Sequence, residues 1–234
     1  MNGAFHHDSN PTSAEDEAYR FLLEGLRSGQ YAPGDRLVAD DIAGHVGVSR
    51  MPVRSAFQRL AAEGLVTLRP NRGAIVKGLD LADMQEVFEM RSALEGLAIR
   101  IATPQVTPRA LSRLERLLDE LDECHTSAAE WVIQHRVFHE YLCSLANRPR
   151  LQTQISGLYT LIEPYMRLWL TRAAPPNSAR DEHRLLLDAL RAGDPAAAEL
   201  ELQEHIQGTV PELFNFINAN HEAEPQAKPH RPFE

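Results

Sequence analysis

Features that would indicate a membrane, secreted or redox protein are scarce in this 234-residue sequence. No apolar run approaches the roughly 20 residues that a membrane-spanning helix needs, and the first residues lack the basic and then apolar segments of a secretory signal. The two cysteines, Cys124 and Cys143, form no CxxC pair, and so few cysteines are typical of a reducing compartment. We therefore expect a cytoplasmic protein with no membrane partner.

An overall positive charge is also missing, although part of the chain is basic. The formal net charge is −9, yet residues 1–78 contain nine Lys and Arg against nine Asp and Glu, so the excess of acid falls on residues 79–234. Within residues 42–78 six basic residues accompany one acid, Glu63. Because a local basic patch sets the attraction for phosphates, this short stretch is the candidate for nucleic-acid contact.

The basic stretch begins with the pattern of a helix that has one apolar face and one arginine face. Ser49 is placed to cap its first turn through the hydroxyl, and Pro52 falls within that turn, where a missing N–H is tolerated. Arg50 and Arg54 are four residues apart and share a face, away from the apolar residues Val53, Ala56, Phe57, Leu60 and Ala61. Two arginines so placed suit insertion into a major groove, and also suit a solvated surface helix.

Residues typical of a β-hairpin follow this helix, and their presence favours DNA contact. Gly64 is a typical residue at a helix end, residues 65–68 and 74–76 are short β-prone runs, and a turn with Arg72 at its tip separates them. Predicted helices at 13–28 and 40–45 come first. Residues 13–78 therefore predict a winged helix-turn-helix domain, preceded by a flexible tail at residues 1–12.

From Leu81 onward the pattern is helical. Helices are predicted over 81–103, 108–123, 128–147, 150–172 and 178–193, and a sixth helix opens at Asp194 and kinks or ends at Pro211. The predicted fold class is thus mainly α: an N-terminal winged helix-turn-helix and a C-terminal antiparallel all-α bundle over residues 79–220. Residues 221–234 are predicted to be a flexible tail.

Histidine placement is the chemical signal in the bundle. His135 and His139 are four residues apart on the third helix, and His183 and His205 lie on the fifth and sixth, which a short turn joins. Imidazole is a common ligand of Zn²⁺ and Ni²⁺, so the spacing allows a metal site. A single histidine is nevertheless more often a surface or core residue.

The N-terminal motifs resemble the DNA-binding domain of GntR-family transcriptional regulators, over about residues 15–78. The resemblance rests on residues 33–37 (PGDRL), 48–54 (VSRMPVR), Leu60, 63–66 (EGLV) and 72–73 (RG). It implies that operator DNA is contacted by Arg50 and Arg54, with Ser49, Met51, Pro52, Arg72 and Gly73 alongside. Met51 departs from the family, in which a small or hydroxylated residue is usual, and can therefore change the base preference or the backbone contact.

The bundle resembles the FCD effector domain of the FadR-like branch, over about residues 81–217. Residues 91–95, 138–139, 146–149, 182–184 and 205–206 carry the resemblance. It implies a divalent metal held by His135, His139, His183 and His205. An aspartate is usual in place of His135, and a neutral nitrogen there favours Zn²⁺, Ni²⁺ or Cu²⁺ over Mn²⁺; we expect Zn²⁺ or Ni²⁺. A three-histidine site without His135 stays open.

Members of that branch sense small carboxylates, so the resemblance also implies a carboxylate effector. A metal cation together with an arginine attracts a carboxylate, and Arg91 is the candidate, with Asn147 as a second. Alternatively Arg91 pairs with Glu95, four residues later, and Asn147 is a helix-end residue. Trp131 and Trp169 are expected in the core or at a dimer interface rather than against a ligand.

The sequence therefore predicts a homodimeric regulator that reads a pseudo-palindromic operator in double-stranded DNA and responds to a small carboxylate through the linker at Gly78. The alternative is a metal-dependent helical-bundle enzyme fused to a DNA-binding domain. Neither HExxH nor the repeated ExxH ligands of di-iron bundles occur, and we expect that the chain is not an enzyme. The acidic second domain disfavours a non-specific architectural DNA binder.

Overall fold

The computed structural model describes residues 13–70, 72–124, 127–172 and 178–223. The chain is mainly α-helical, as the sequence predicts, and divides into two compact units between Gly78 and Leu79. The tail predicted at residues 1–12 and most of the one predicted at the C-terminus lie outside the described residues. Among the helices in the described ranges, none combines the length and the apolarity needed to cross a membrane.

Over its described residues, the first unit combines three helices with a three-stranded sheet. Its elements follow the order α1 Ala14–Arg27, β1 Arg36–Leu37, α2 Ala39–Val46, α3 Arg50–Ala62, β2 Val66–Arg69 and β3 Gly73–Val76. Both strand pairs are antiparallel, in the order β1-β3-β2, with Arg36 opposite Ile75 and Leu68 opposite Ala74. The predicted hairpin is therefore present, and β1 adds a third strand that the sequence analysis did not predict.

The apolar face of α3 forms the centre of this unit. Val53, Phe57 and Leu60 are buried, and they share the core with Leu22 of α1 and Ala74 of β3. Because this face of α3 is buried, its other face, which carries Arg50 and Arg54, lies at the surface.

The start of α3 differs in one respect from the prediction. Ser49 is the N-cap residue and has an extended backbone, but its hydroxyl makes no capping hydrogen bond, so that expectation was wrong. A capping side chain bonds the N–H of the second or third helical residue. The third residue of α3 is Pro52, which has no N–H, and one of the two usual donors is therefore missing.

In the described part of the second unit there are six helices and a short 3₁₀ turn. Their bounds are α4 Leu81–Ala102, the turn Thr103–Gln105, α5 Pro108–Glu123, α6 Ala128–Ser144, α7 Pro149–Arg172, α8 Ser178–Ala192 and α9 Pro195–Ala223. Two bounds differ from the prediction by more than one residue. Helix α6 stops at Ser144 rather than Asn147, and α9 continues through Pro211 as far as Ala223, three residues beyond the predicted end of the bundle.

Long helices α4 and α9 pack against each other, and α4 also contacts α6 and α7. Helix α8 packs on α5 and α9, and α6 packs on α5 and α7. The apolar core that these helices share includes Phe88, Leu114, Phe138, Leu142 and Leu202.

Gly73 allows strand β3 to approach β1. Its φ of 85° is a left-handed conformation that residues with a side chain disfavour. A Cβ atom at this position would lie 2.0 Å from the carbonyl oxygen of Leu37. The backbone therefore requires glycine here, independently of any contact with DNA.

We expect Gly73→Ala to destabilise the protein more than Gly34→Ala. Both glycines have a positive φ, of 85° and 91°, which costs roughly 1–2 kcal/mol with a side chain. At Gly34 no described atom lies within 4 Å of an added Cβ, whereas the clash at Gly73 should cost roughly 1–3 kcal/mol more. Urea unfolding of the two full-length variants measures the difference, and equal losses would contradict this account.

Candidate functional site

The four histidines singled out by their spacing lie together inside the second unit. His135 and His139 come from α6, His183 from α8 and His205 from α9. Their exposed fractions run from 0% for His139 to 9% for His135. One ring nitrogen of each lies within 4.8 Å of those of the other three. The fold thus brings the four predicted ligands to one point.

The donor set has the chemistry of a transition-metal site. The Nε2 atoms of His139 and His183 are 3.3 Å apart, which is about the separation of two nitrogens bound to a tetrahedral Zn²⁺ at about 2.0–2.1 Å. Burial lowers the pKa of His139 to about 4, against the opposing effect of Glu95. Burial and the neighbouring imidazoles also lower the pKa of His135. Both rings are therefore neutral at pH 7, which is the form that binds a metal.

Two carboxylates hold two of these rings in orientation. Nδ1 of His139 lies 3.1 Å from Oε2 of Glu95, and Nδ1 of His205 lies 2.7 Å from Oε2 of Glu182. A ring that donates its Nδ1–H to a carboxylate presents the lone pair of Nε2 to a metal. The sequence analysis did not assign this role to either glutamate.

Glu95 is the centre of a buried hydrogen-bond network. Arg91 donates from Nε to Oε1 at 2.9 Å, the Tyr159 hydroxyl donates to Oε2 at 2.9 Å, and that hydroxyl accepts from Nη2 of Arg91 at 2.7 Å. Burial raises the pKa of Glu95, but Arg91, His139 and Tyr159 together lower it to about 2. The pairing of Arg91 with Glu95, stated above as the alternative to an effector role, is therefore present. Tyr159, 68 residues from Arg91, was not singled out in the sequence.

Two small cavities adjoin the histidines, and Arg91 lines both. The first encloses about 40 Å³ and is also lined by His135, His205 and Thr209. The second encloses about 20 Å³ and is also lined by His135 and Tyr159. The structure thus brings Arg91 and the histidine cluster to a common space large enough for a small molecule or ordered water.

Two tryptophans and Asn147 also bear on this site. Trp131 and Trp169 are buried, as expected of core residues, but both line the larger cavity. Trp131 also stacks on His135 with ring centroids 4.7 Å apart, so this core residue borders the histidine cluster. Asn147 is exposed at the turn between α6 and α7, and its φ of 51° is typical of a residue that ends a helix. It does not line either cavity beside the histidines, as far as the described residues define them.

A second candidate site is a groove on the first unit, between α3 and the hairpin. It encloses about 620 Å³, and its lining includes five arginines and one acid: Arg36, Asp40, Arg50, Arg54, Arg69 and Arg72. A groove of this charge attracts the phosphates of a duplex. Arg36 also donates from Nε to the carbonyl oxygen of Arg72 at 3.1 Å, which ties β1 to the hairpin tip.

The other residues predicted to contact DNA lie at the start of α3 or line the groove. Ser49 and Met51 are exposed at the start of α3, and Met51 exposes 68% of its surface. Pro52 is half-buried. Gly73 lines the groove, and its close approach to Leu37 gives it the structural role described above.

Comparisons with known proteins give a family match for each of the two units. Residues 86–208 match the FCD domain, and residues 14–76 match the bacterial regulatory proteins of the gntR family. The HTH-type transcriptional regulator BphR of Paraburkholderia xenovorans (strain LB400) is 30% identical over 217 residues, which cover 89% of this chain and 88% of that protein. The HTH-type transcriptional regulator McbR of Escherichia coli (strain K12) is 28% identical over 202 residues, which cover 84% of this chain and 91% of that protein.

Solved structures show the same architecture. The E. coli McbR/YncC structure superposes with a TM-score of 0.78 and 26% identity, and covers 88% of this chain and 99% of that one. A GntR regulator from Rhodococcus sp. RHA1 has a TM-score of 0.73 and 25% identity, over 87% of this chain and 99% of that one.

Fold, groove and relatives together define the chain as a DNA-binding transcriptional regulator. It belongs to the GntR family and carries an FCD domain. The resemblance seen in the sequence motifs is therefore confirmed. These relatives and structural neighbours are regulators rather than enzymes, in agreement with the expectation that the chain is not an enzyme.

Glu95→Gln is expected to lower the free energy of unfolding by about 3–5 kcal/mol, because it leaves the buried cation of Arg91 without its counter-charge. Glu120→Gln is the matched control. Its ion pair with Arg113 spans 3.2 Å with side chains 41% and 45% exposed, and such pairs contribute about 1 kcal/mol or less. Urea denaturation of both variants measures the two losses in free energy of unfolding. Similar losses would contradict this expectation.

Proposed function

We propose that this regulator binds operator DNA through the arginine-lined groove and that a small carboxylate, bound beside a transition metal in the helical bundle, controls that binding. The observation that carries the proposal is the convergence of four imidazole nitrogens within 4.8 Å, next to a cavity that Arg91 also lines.

The DNA contact in this proposal centres on α3. Arg50 and Arg54 are exposed on the first two turns of this helix, and Arg72 lies at the tip of the adjacent hairpin. Arginine bonds the O6 and N7 atoms of guanine with two donors, and a helix of this size fits the major groove. The hairpin then contacts the backbone or the neighbouring minor groove.

The metal in this proposal is Zn²⁺ or Ni²⁺, since the donors are neutral imidazoles. Glu95 and Glu182 support it by orienting His139 and His205. A bound ion would supply a positive charge, and with three histidine ligands it would keep a fourth position to which a carboxylate could coordinate. His135 stands where related domains use an aspartate, and both a four-histidine and a three-histidine site are consistent with the distances.

The effector in this proposal is a small monocarboxylate or similar acid. Arg91 donates from Nε to Glu95 and from Nη2 to Tyr159, and the residue also lines both cavities. The cavity of about 40 Å³ limits the ligand to a few heavy atoms unless side chains move. A carboxylate that raises the melting temperature but leaves operator affinity unchanged would contradict a regulatory role for this site.

The regulator acts as a homodimer in this proposal, and a two-fold dimer reads a pseudo-palindromic operator. Two exposed apolar side chains support this. Met90 and Leu97 are 42% and 44% exposed and, being seven residues apart, share one face of α4 that a second copy can cover.

Arg54→Ala should weaken binding to a selected operator by about 1–3 kcal/mol and relax the preference at one base pair, because a two-donor base contact is lost. The measurement is fluorescence anisotropy on duplexes chosen by selection with the wild-type protein.

Arg59→Ala is the control on the same helix. Arg59 lies over the Tyr19 ring at 3.6 Å and pairs with Asp16 and Glu63, each at 3.4 Å, so it faces α1 rather than the groove. Its operator affinity should stay within about twofold of wild type. Equal losses for both variants would count against base reading by Arg54.

His139→Ala is expected to lower the affinity for Zn²⁺ or Ni²⁺ at least about 100-fold, because loss of even an outer-shell partner costs about 10–100-fold. The protein is first stripped with a chelator and then titrated calorimetrically with each metal. His45→Ala is the control, because His45 is exposed on α2 and its Nδ1 bonds the carbonyl oxygen of Asp41.

His135→Ala separates the two possible donor sets. If the site has four histidine ligands, His135→Ala should lose about as much metal affinity as His139→Ala. If the site has three ligands without His135, the loss of metal affinity should be much smaller. Wild-type protein that binds neither metal would reduce the cluster to a packing feature.

A further inference from the structure

One acidic side chain lies within the arginine-lined groove. Asp40, in the first turn of α2, forms an ion pair through its carboxylate with Nε of Arg50, the first residue of α3. Both residues line the groove together with Arg54 and Arg72. A carboxylate at this place repels the phosphates that the surrounding arginines attract.

Fold stability does not account for this pair. The Arg50 and Asp40 side chains are 72% and 52% exposed, and ion pairs at such exposure stabilise a protein little, because water screens them and ordering two long side chains costs entropy. The pair therefore weakens the attraction for DNA without a matching gain in the stability of the fold. Its contribution has to be sought in how Arg50 meets DNA.

The atom of Arg50 that Asp40 approaches is informative. A guanidinium has five N–H donors on a planar fork, and the ion pair joins the Asp40 carboxylate to Nε. An exposed arginine without a partner samples many rotamers. A carboxylate of the neighbouring helix at Nε restricts the plane of the fork, and the terminal nitrogens carry the two-donor edge that recognises guanine.

We propose that Asp40 is a positioning residue that orients Arg50 for base reading and so raises the discrimination between operator and other DNA. The inference rests on the proposed DNA-reading role of Arg50. It has two parts: the carboxylate lowers affinity for all duplexes through its charge, and it holds the guanidinium in the geometry that one base pair requires.

Three variants separate charge from positioning. Asp40→Ala removes the charge and the acceptor, and Asp40→Asn removes the charge but keeps an oxygen that can accept from Nε. Asp41→Asn is the matched control: it makes the same charge change one residue away, in a residue that does not line the groove. Urea unfolding verifies that all three remain folded, as the exposure of the pair predicts.

Each full-length variant is titrated by anisotropy with the selected operator, with the same duplex changed at each base pair in turn, and with random duplex, at one fixed salt concentration. We expect Asp40→Ala to bind random duplex more tightly than wild type. We also expect its discrimination at one base pair to fall at least about fivefold, because a two-donor contact to a base contributes at least that much discrimination. Asp40→Asn should retain part of this discrimination, and Asp41→Asn should retain all of it.

Arg50→Ala identifies the base pair concerned and keeps the inference distinct from the proposed function. If Arg50→Ala loses discrimination at one position and Asp40→Ala does not, the positioning role is overturned while DNA reading by Arg50 stands. If Asp40→Ala tightens all duplexes by the same factor, the carboxylate acts through charge alone and the inference is also overturned. If Arg50→Ala changes no base preference, the proposed role of Arg50 fails, and the inference fails with it.

Discussion

The bundle depends on the carboxylate of Glu95. This buried anion accepts hydrogen bonds from Arg91 of its own helix and from Tyr159 of α7, and it lies 3.1 Å from Nδ1 of His139 on α6. Removing an ion from water costs several kcal/mol, so such a charge persists only where partners surround it. The partners come from three helices, and the same charge therefore joins α4, α6 and α7 and orients a candidate metal ligand.

That arrangement links the two halves of the candidate effector site. Arg91, which lines both cavities, and His139, which belongs to the histidine cluster, bond to the two different oxygens of Glu95. A ligand that draws the guanidinium toward itself weakens the bond on Oε1, and the charge on Oε2 that faces His139 then increases. Metal affinity and ligand affinity are consequently expected to influence each other, and by thermodynamic linkage they do so reciprocally.

Local sequence patterns predicted much of this architecture, whereas long-range contacts could not be predicted from them. The helix at Arg50, its two faces and the hairpin follow from spacing and turn chemistry. The spacing of four between His135 and His139 places both on one side of α6. Strand β1 has only two residues and no pattern to reveal it. Tyr159 joins Arg91 across 68 residues, and no periodicity in one sequence encodes such a contact. The missing Ser49 cap, by contrast, could have been deduced in part, because Pro52 has no N–H.

The distribution of charge explains why a single acid in the groove matters in a protein that is acidic overall. At physiological salt the Debye length is about 8 Å, so charges that line the groove itself dominate the attraction for a phosphate docked there. Asp40 lies within that range and contacts Arg50 directly. Non-specific affinity scales with the number of phosphates that cations neutralise. Discrimination between base sequences depends on how well each cationic side chain is oriented toward a base edge. An acid that lowers non-specific affinity while it improves discrimination raises the ratio of operator affinity to affinity for bulk DNA. A regulator requires a high value of this ratio.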